Sequence, residues 1–227
     1  MVNRKGFTLI EVLVSIILAG IIVYFLYILL LTSYESYKTL SGVAKETSDI
    51  RLCETYLKKS IENACYINIE PTASAAQATA LNFGRQELYW DSAKETIKNR
   101  YVVDKYIVKD STDPVKPGRF YLDTTYECNQ ISNTRDTTKE GNYELLLQIY
   151  YTDSDYNIAG HALVSEEQLL TGLKLAYYFI PSNTLGGVRR FTLVKIGLDF
   201  DDTLATGEVY RNTRLFHFAA RGYGLPS

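Results

Sequence analysis

Histidine and cysteine are scarce in this sequence. Two histidines, His161 and His217, and three cysteines are spread over 227 residues, without the ligand spacing of a zinc or related metal centre. Proline is sparse too, with five in all and none before Pro71, so no ring interrupts a helix in the first part of the chain. Neither sign of charge is in surplus: 24 Lys+Arg stand against 26 Asp+Glu, a formal charge of −2. That excludes a chain held to nucleic acid by bulk charge, although a local basic face remains compatible with it. Hydrophobic residues make up 46% and charged residues 22%, ordinary values for a folded chain. A disordered tail, a collagen-like fibre and a multi-span membrane protein are therefore excluded, and the length is sufficient for one sizeable core.

The averages conceal one concentrated feature. Of the 25 residues from Phe7 to Leu31, 21 are apolar, and Val12 to Leu31 is a run of 20 without a charge. At ~1.5 Å per residue that run spans ~30 Å, the thickness of a bilayer core. Arg4 and Lys5 precede it and would hold the N-terminus in the cytoplasm, with the rest of the chain outside. An ordinary secretory signal places its small-residue cleavage site after the apolar region. Here the basic pair and Gly6 come first, so a cut at Gly6 leaves the apolar segment on the mature protein. Glu11 is the exception within that segment. A carboxylate costs on the order of 2–3 kcal/mol at mid-membrane and less near the interface, so Glu11 either snorkels to the headgroups or meets a cation. Cleavage after Gly6 creates one, the α-amine of Phe7, one helical turn away or on a neighbouring subunit.

The run Arg4-Lys5-Gly6-Phe7-Thr8-Leu9-Ile10-Glu11-Val12-Leu13 resembles the class III signal of type IV pilins and pseudopilins, over roughly the first 30 residues. The resemblance implies recognition of the leader through Arg4 and Lys5, cleavage between Gly6 and Phe7 by a prepilin peptidase, and N-methylation of Phe7. It also implies that Glu11 guides docking into a growing filament. Gly20 sits where many family members carry a helix-loosening glycine. Major type IV pilins usually carry a proline near the middle of this segment, where this sequence has Ile28. That departure points towards a minor subunit.

Past Leu31 the helical pattern turns amphipathic. Val43, Thr47, Ile50, Cys53, Leu57, Ile61 and Ala64 recur at intervals of three and four among charged residues, predicting one helix from Phe7 to Ala64, ~85 Å long. A lone anchor does not need that extension. Thr72 to Thr79 reads as a connection. Strands are expected at Ala80–Phe83 and Glu87–Trp90 around Gly84-Arg85, then at Tyr101–Val108 and Phe120–Leu122. Cys128 to Asn142 reads as a polar surface loop. Further strands are expected at Glu144–Tyr151, Leu173–Ile180, Phe191–Phe200 and Gly207–Phe218. Asp153-Ser154-Asp155, Pro181–Gly187 and Asp201–Thr206 would separate them, with Ile196, Leu198 and Phe200 sharing one face. Short connections make such strands antiparallel. The expected class is α+β: a long N-terminal helix, membrane-spanning in its first half, packed on an antiparallel sheet. The expected divisions are a leader at 1–6, a filament-core or transmembrane helix at 7–31, its amphipathic half at 32–65, and a β-rich head at 66–227. The head's size and the late Val209-Tyr210-Arg211-Asn212 strand resemble larger minor pseudopilins of the J or W type.

Three other patterns invite chemistry. Asp199-Phe200-Asp201-Asp202-Thr203-Leu204 reproduces the D-x-D-x-T-L signature of haloacid-dehalogenase-type phosphatases, in which the first aspartate is the nucleophile. That signature needs a parallel α/β domain and a downstream acidic pair, whereas only Glu208 is acidic after Asp202. A hairpin turn at Asp201-Asp202-Thr203 on the sheet edge is the expected reading instead. Asp153-Ser154-Asp155-Tyr156-Asn157 has alternating oxygen ligands but Ile158 and Val164 where a calcium loop needs glycine and glutamate, so a polar turn competes with a non-EF-hand calcium site. Cys53 and Cys65 are ~18 Å apart on one helix, too far to bridge, which leaves Cys65 with Cys128 or unpaired thiols. Arg189, Arg190, Arg211, Arg214 and Arg221 near Tyr210, Phe216 and Tyr223 admit either a nucleic-acid patch or solvated arginines around an edge strand.

The sequence therefore predicts a non-enzymatic pilin or pseudopilin, with no catalytic residues, cofactor or metal. It would be held in the cytoplasmic membrane and assembled through its helix into a type IV pilus, type II secretion or competence filament. The expected partners are the prepilin peptidase, other pilins, the inner-membrane assembly platform and the membrane itself. The rival reading is a single-pass anchored adhesin or DNA-binding tip module. Loss of the leader removes two basic residues, leaving 22 against 26 acidic, so the mature chain would carry −4.

Overall fold

The computed structural model describes residues 9–72, 77–113, 118–122, 140–179, 182–185, 188–191, 194–203 and 209–219. Two compact units divide the chain, Met1–Ser48 and Asp49–Ser227. Helix α1 runs over Leu9–Glu62, as the proline-free pattern predicts. Its last turn carries Lys59, a cation near the negative end of the helix dipole. The Asn63 amide donates to the Lys59 carbonyl at 2.8 Å, and Ala64 N–H donates to Ile61 O at 3.2 Å. These bonds satisfy carbonyls that a helix end leaves unpaired.

Among the described residues ten strands follow: β1 (Tyr66–Pro71), β2 (Gln77–Asp91), β3 (Thr96–Asp110), β4 (Phe120–Leu122), β5 (Tyr143–Thr152), β6 (Leu163–Phe179), β7 (Ser182–Leu185), β8 (Val188–Phe191), β9 (Val194–Thr203) and β10 (Val209–Phe218). The main sheet has the order β1-β2-β3-β5-β6-β9-β10. Its neighbours along that path are antiparallel. The short strand β4 pairs antiparallel with β2 and parallel with β6, so β2, β3, β5, β6 and β4 form a closed circuit of pairings. β7 and β8 make a separate two-stranded ribbon. The architecture is α+β, a helix packed on an antiparallel sheet.

Within the second unit, the last turns of α1 supply Cys53, Leu57 and Ile61 to the core and Ala64 follows just past the helix end, all at most 3% exposed. The sheet answers with Leu81 and Phe83 of β2, Tyr106 and Val108 of β3, Leu145 and Leu147 of β5, and Ile196, Leu198 and Phe200 of β9. Strand alternation places each set on one face. The shared face predicted for Ile196, Leu198 and Phe200 belongs to this core. The opposite face of β9 is buried as well, because Lys195 and Asp199 are 3% and 6% exposed.

Several boundaries differ from the sequence reading. Gly84-Arg85 does not interrupt β2, because Tyr156 packs over the glycine and the arginine is neutralised inside the sheet. Gln77 to Thr79 belong to β2 rather than to a connection. β1 and the first half of β6 were not expected as strands, since Glu70-Pro71 and Ser165-Glu166-Glu167 look polar or chain-breaking. Pro71 is accommodated at the end of an edge strand, beside a register shift. Phe191 belongs to β8, β9 begins at Val194, and β7 lies inside the Pro181–Gly187 segment expected as a connection. Asp201, Asp202 and Thr203 are not a turn but the end of β9, paired with Arg211, Tyr210 and Val209.

Burial raises the Cys53 thiol to about 12, with the Glu54 carboxylate adding to the effect. Cys53 should therefore resist alkylation at pH 8 in the native protein and react only on unfolding. Mass spectrometry after iodoacetamide pulses checks this. Leu57→Ala should cost ~2–5 kcal/mol by emptying a fully packed site, measured as a fall in unfolding midpoint.

Candidate functional site

Among the described residues, one helix is long and apolar enough to cross a membrane, over Leu9–Lys38. Every large apolar side chain from Leu9 to Leu31 is solvent-exposed, from Leu9 at 88% to Ile28 at 39%. A surface of this kind is stable only against lipid or other helices. Two of its hydroxyls bond within the helix: Ser15 Oγ donates to Glu11 O at 2.7 Å and Thr32 Oγ1 to Ile28 O at 3.0 Å. Such bonds to the preceding turn let a polar residue sit in an apolar medium. A Cβ on Gly20 would meet nothing within 4 Å, so that position presents open backbone. Glu11 lies in the first turn of the described helix, where the positive end of the helix dipole favours a carboxylate. Arg4, Lys5, Gly6 and Phe7 lie outside the described residues.

The seat of α1 on the sheet contains a polar network that sequence reasoning missed. Arg85 on β2 donates to Asp104 on β3 through Nε at 2.8 Å and Nη2 at 3.2 Å, and both side chains are under 10% exposed. Ser60 on α1 donates to Asp104 Oδ2 at 2.7 Å. Its hydroxyl proton is thereby committed, so the 2.8 Å contact between Ser60 Oγ and Tyr106 Oη has tyrosine as the donor. Burial holds the Tyr106 phenol well above its ordinary range. Arg85 also pairs with Glu87, and Glu87 Oε2 receives Arg100 Nη2 at 3.0 Å. The Arg100 guanidinium in turn lies 4.0 Å from the centre of the Tyr151 ring. The available signal was an ionisable residue inside each apolar strand, Arg85 after Phe83 and Asp104 after Val103.

The other patterns resolve structurally. Asp199 is on β9 between β6 and β10, both antiparallel to it, and its carboxylate accepts Thr213 Oγ1 at 2.7 Å. The parallel environment of the phosphatase signature is not present around it. At the Asp153 turn, Asp155 Oδ1 accepts Asn157 N–H at 3.1 Å and Asn157 Oδ1 accepts Ala159 N–H at 3.0 Å. These side chains cap their own backbone, as Asx turns do, and Tyr156 between them points inward, 5% exposed. Cys53 and Cys65 are free thiols; Cys128 lies outside the described residues. Arg189 and Arg190 fall on the β7–β8 ribbon and Arg211 and Arg214 on β10, while Arg221 lies outside the described residues.

Residues 1–26 match the model of the prokaryotic N-terminal methylation motif. The chain carries the signal of a type IV pilin-like prepilin. No curated protein and no solved structure matches it. For a prepilin the motif implies processing by a prepilin peptidase and assembly with other pilins, and it indicates a structural subunit rather than an enzyme. Together with the apolar helix, it supports membrane anchoring through the N-terminus. The Ser60–Asp104–Arg85 network makes a separate, measurable demand. Asp104→Ala should cost ~3–5 kcal/mol by removing the buried carboxylate that Arg85 and Ser60 share, leaving Arg85 only Glu87, and Ser60→Ala ~1–3 kcal/mol, both read from denaturant unfolding of the full chain.

Proposed function

We propose that this prepilin is a minor pilin or pseudopilin subunit of a type IV pilus, type II secretion or competence filament. The supporting observation is an apolar helix segment exposed along Leu9 to Leu31, with one carboxylate in its first described turn, lying under a methylation motif. In this reading Arg4 and Lys5 present the leader at the cytoplasmic face, the peptidase cuts between Gly6 and Phe7, and Phe7 is N-methylated. The mature helix resides in the cytoplasmic membrane, with the head outside, until the assembly platform moves it into the filament.

The chemistry gives each part a task. Apolar burial is non-directional, so a helix of Leu, Ile and Val can slide along its neighbours with little change in energy. Glu11 fixes the register, because in a low-dielectric bundle its charge is stable only beside a cation, the Phe7 amine of this or a neighbouring subunit. The segments follow: leader 1–6, filament-core helix 7–31, amphipathic half 32–65 and head 66–227. The absence of proline before Pro71 fits a minor subunit, and the size of the head fits the J or W type.

Glu11→Ala should leave cleavage intact yet reduce incorporation into sheared filaments by ~10-fold or more, with Glu11→Asp retaining part of it. Immunoblots of filament and membrane fractions read both. Wild-type incorporation of Glu11→Ala would remove the assigned role of Glu11.

A further inference from the structure

A cleft of about 850 Å³ opens on the head between the end of α1, the outer part of β2 and the turn after β5. Lys59, Cys65, Gln86, Leu88, Tyr101 and Tyr156 are among its lining residues. Tyr156 forms its fixed wall. With φ at 56° it is held in the left-handed region, and its ring lies over Gly84, where a Cβ would come within 2.5 Å of it. The same ring stacks on Tyr66 at 5.2 Å and meets Tyr101 edge-on at 5.5 Å. Its hydroxyl is 2.6 Å from Cys65 Sγ. A loop tyrosine held at four points gives a rigid wall.

The opposite wall is an unfinished sheet edge. β1 covers β2 only from Ala78 to Gly84, while β2 continues to Asp91. The Gly84 carbonyl faces the β1 side, accepting Cys65 N–H at 2.8 Å. Alternation along a strand turns the N–H and C=O of Gln86, Leu88 and Trp90 to that same side. Among the described residues no strand pairs with them there. Leu88 and Trp90 are 74% and 60% exposed, and Ile97, paired with Trp90 across the hairpin, is 67% exposed. A long, apolar, unpaired edge is a site for strand pairing, which soluble domains ordinarily blunt.

We propose that this edge and cleft bind an extended, acidic peptide segment of another protein by β-strand addition, collinear with β1. Backbone groups of Gln86, Leu88 and Trp90 supply the hydrogen bonds, and the Leu88–Trp90–Ile97 surface takes apolar side chains. Lys59 selects the charge. The cleft's charged lining is Lys59, Arg85 and Glu87. Arg85 and Glu87 pair with each other, and no described carboxylate lies within salt-bridge distance of Lys59. A second copy is disfavoured as the occupant, because the other edge strand of the sheet is β10, which carries no acidic residue to meet Lys59. The proposal does not depend on filament assembly.

The test uses the full chain in detergent micelles, with Trp90, its single tryptophan, as the reporter. The probe is an end-capped peptide of about six residues, alternating valine and threonine and closed by glutamate. Saturable binding should shift Trp90 emission to shorter wavelength. N-methylating one alternate set of the peptide's amides should abolish the shift, and methylating the other set should leave it, since only one set faces β2. Leu88→Pro removes an outward N–H without touching the β2–β3 ladder and should weaken binding ~10-fold or more at unchanged melting temperature, whereas Leu88→Thr should retain it. Lys59→Glu, or lysine in place of the peptide's glutamate, should weaken it several-fold. No saturable shift, or equal binding of both methylated peptides, would overturn the proposal. Loss of peptide binding as protein concentration rises would place a second copy on the edge and overturn the assigned occupant.

Discussion

The seating of the last turns of α1 on the sheet is the interaction on which the rest of the head depends. Cys53, Leu57 and Ile61 bury one helix face against the strands, which supplies most of the free energy but little direction. Direction comes from Ser60. Its hydroxyl is bonded to Asp104 and Tyr106, and Asp104 is already held by Arg85 from the adjacent strand. Rotating the helix would withdraw a donor from a buried carboxylate, a loss that apolar packing does not replace. A buried ion pair contributes little net stability when compared with hydrophobic residues of similar size. Here its effect is to give the sheet one position at which the helix fits.

The same helix, further towards its N-terminus, has no such partner within its own unit. Each exposed Leu, Ile, Val or Phe withdrawn from water gains ~1.5–3 kcal/mol, so the segment from Leu9 to Leu31 withholds a sum on the order of tens of kcal/mol until lipid or other helices cover it. A polypeptide that keeps this surface after processing must pass from one apolar medium to another. In the proposed reading a filament core offers such a second medium, and Glu11 is the residue that would distinguish the two, since a carboxylate would have an amine to meet in a bundle and only headgroups at a bilayer edge.

The N-terminal element was legible because its information is local and contiguous: charge, glycine, apolar run and acid stand in order along the chain, and a period of 3.6 carries the helix onward to Glu62. Strands were legible where apolar residues dominate, as in β5 and β9. The reading failed where a strand's polar residue is satisfied by a distant partner. Arg85 looked like a break because Asp104 lies 19 residues away. The start of β6 was not read as a strand because the pairing of its Gln168, Glu167 and Glu166 with β5 cannot be seen in a single sequence. The cleft was illegible for the same reason, since it is assembled from the end of α1, Cys65, β2, β3 and the turn at Tyr156. A five-residue pattern of alternating oxygens suggested a ligand loop there, while the geometry made Tyr156 a wall.

The central claim is that the apolar helix is a processed, retained assembly element rather than a discarded signal or a plain anchor. Intact-mass measurement of the protein extracted from membranes tests it most directly. The account predicts a chain beginning at Phe7 and carrying one additional methyl group on its amine. A chain still beginning at Met1, or one cut on the far side of the apolar segment, would contradict it.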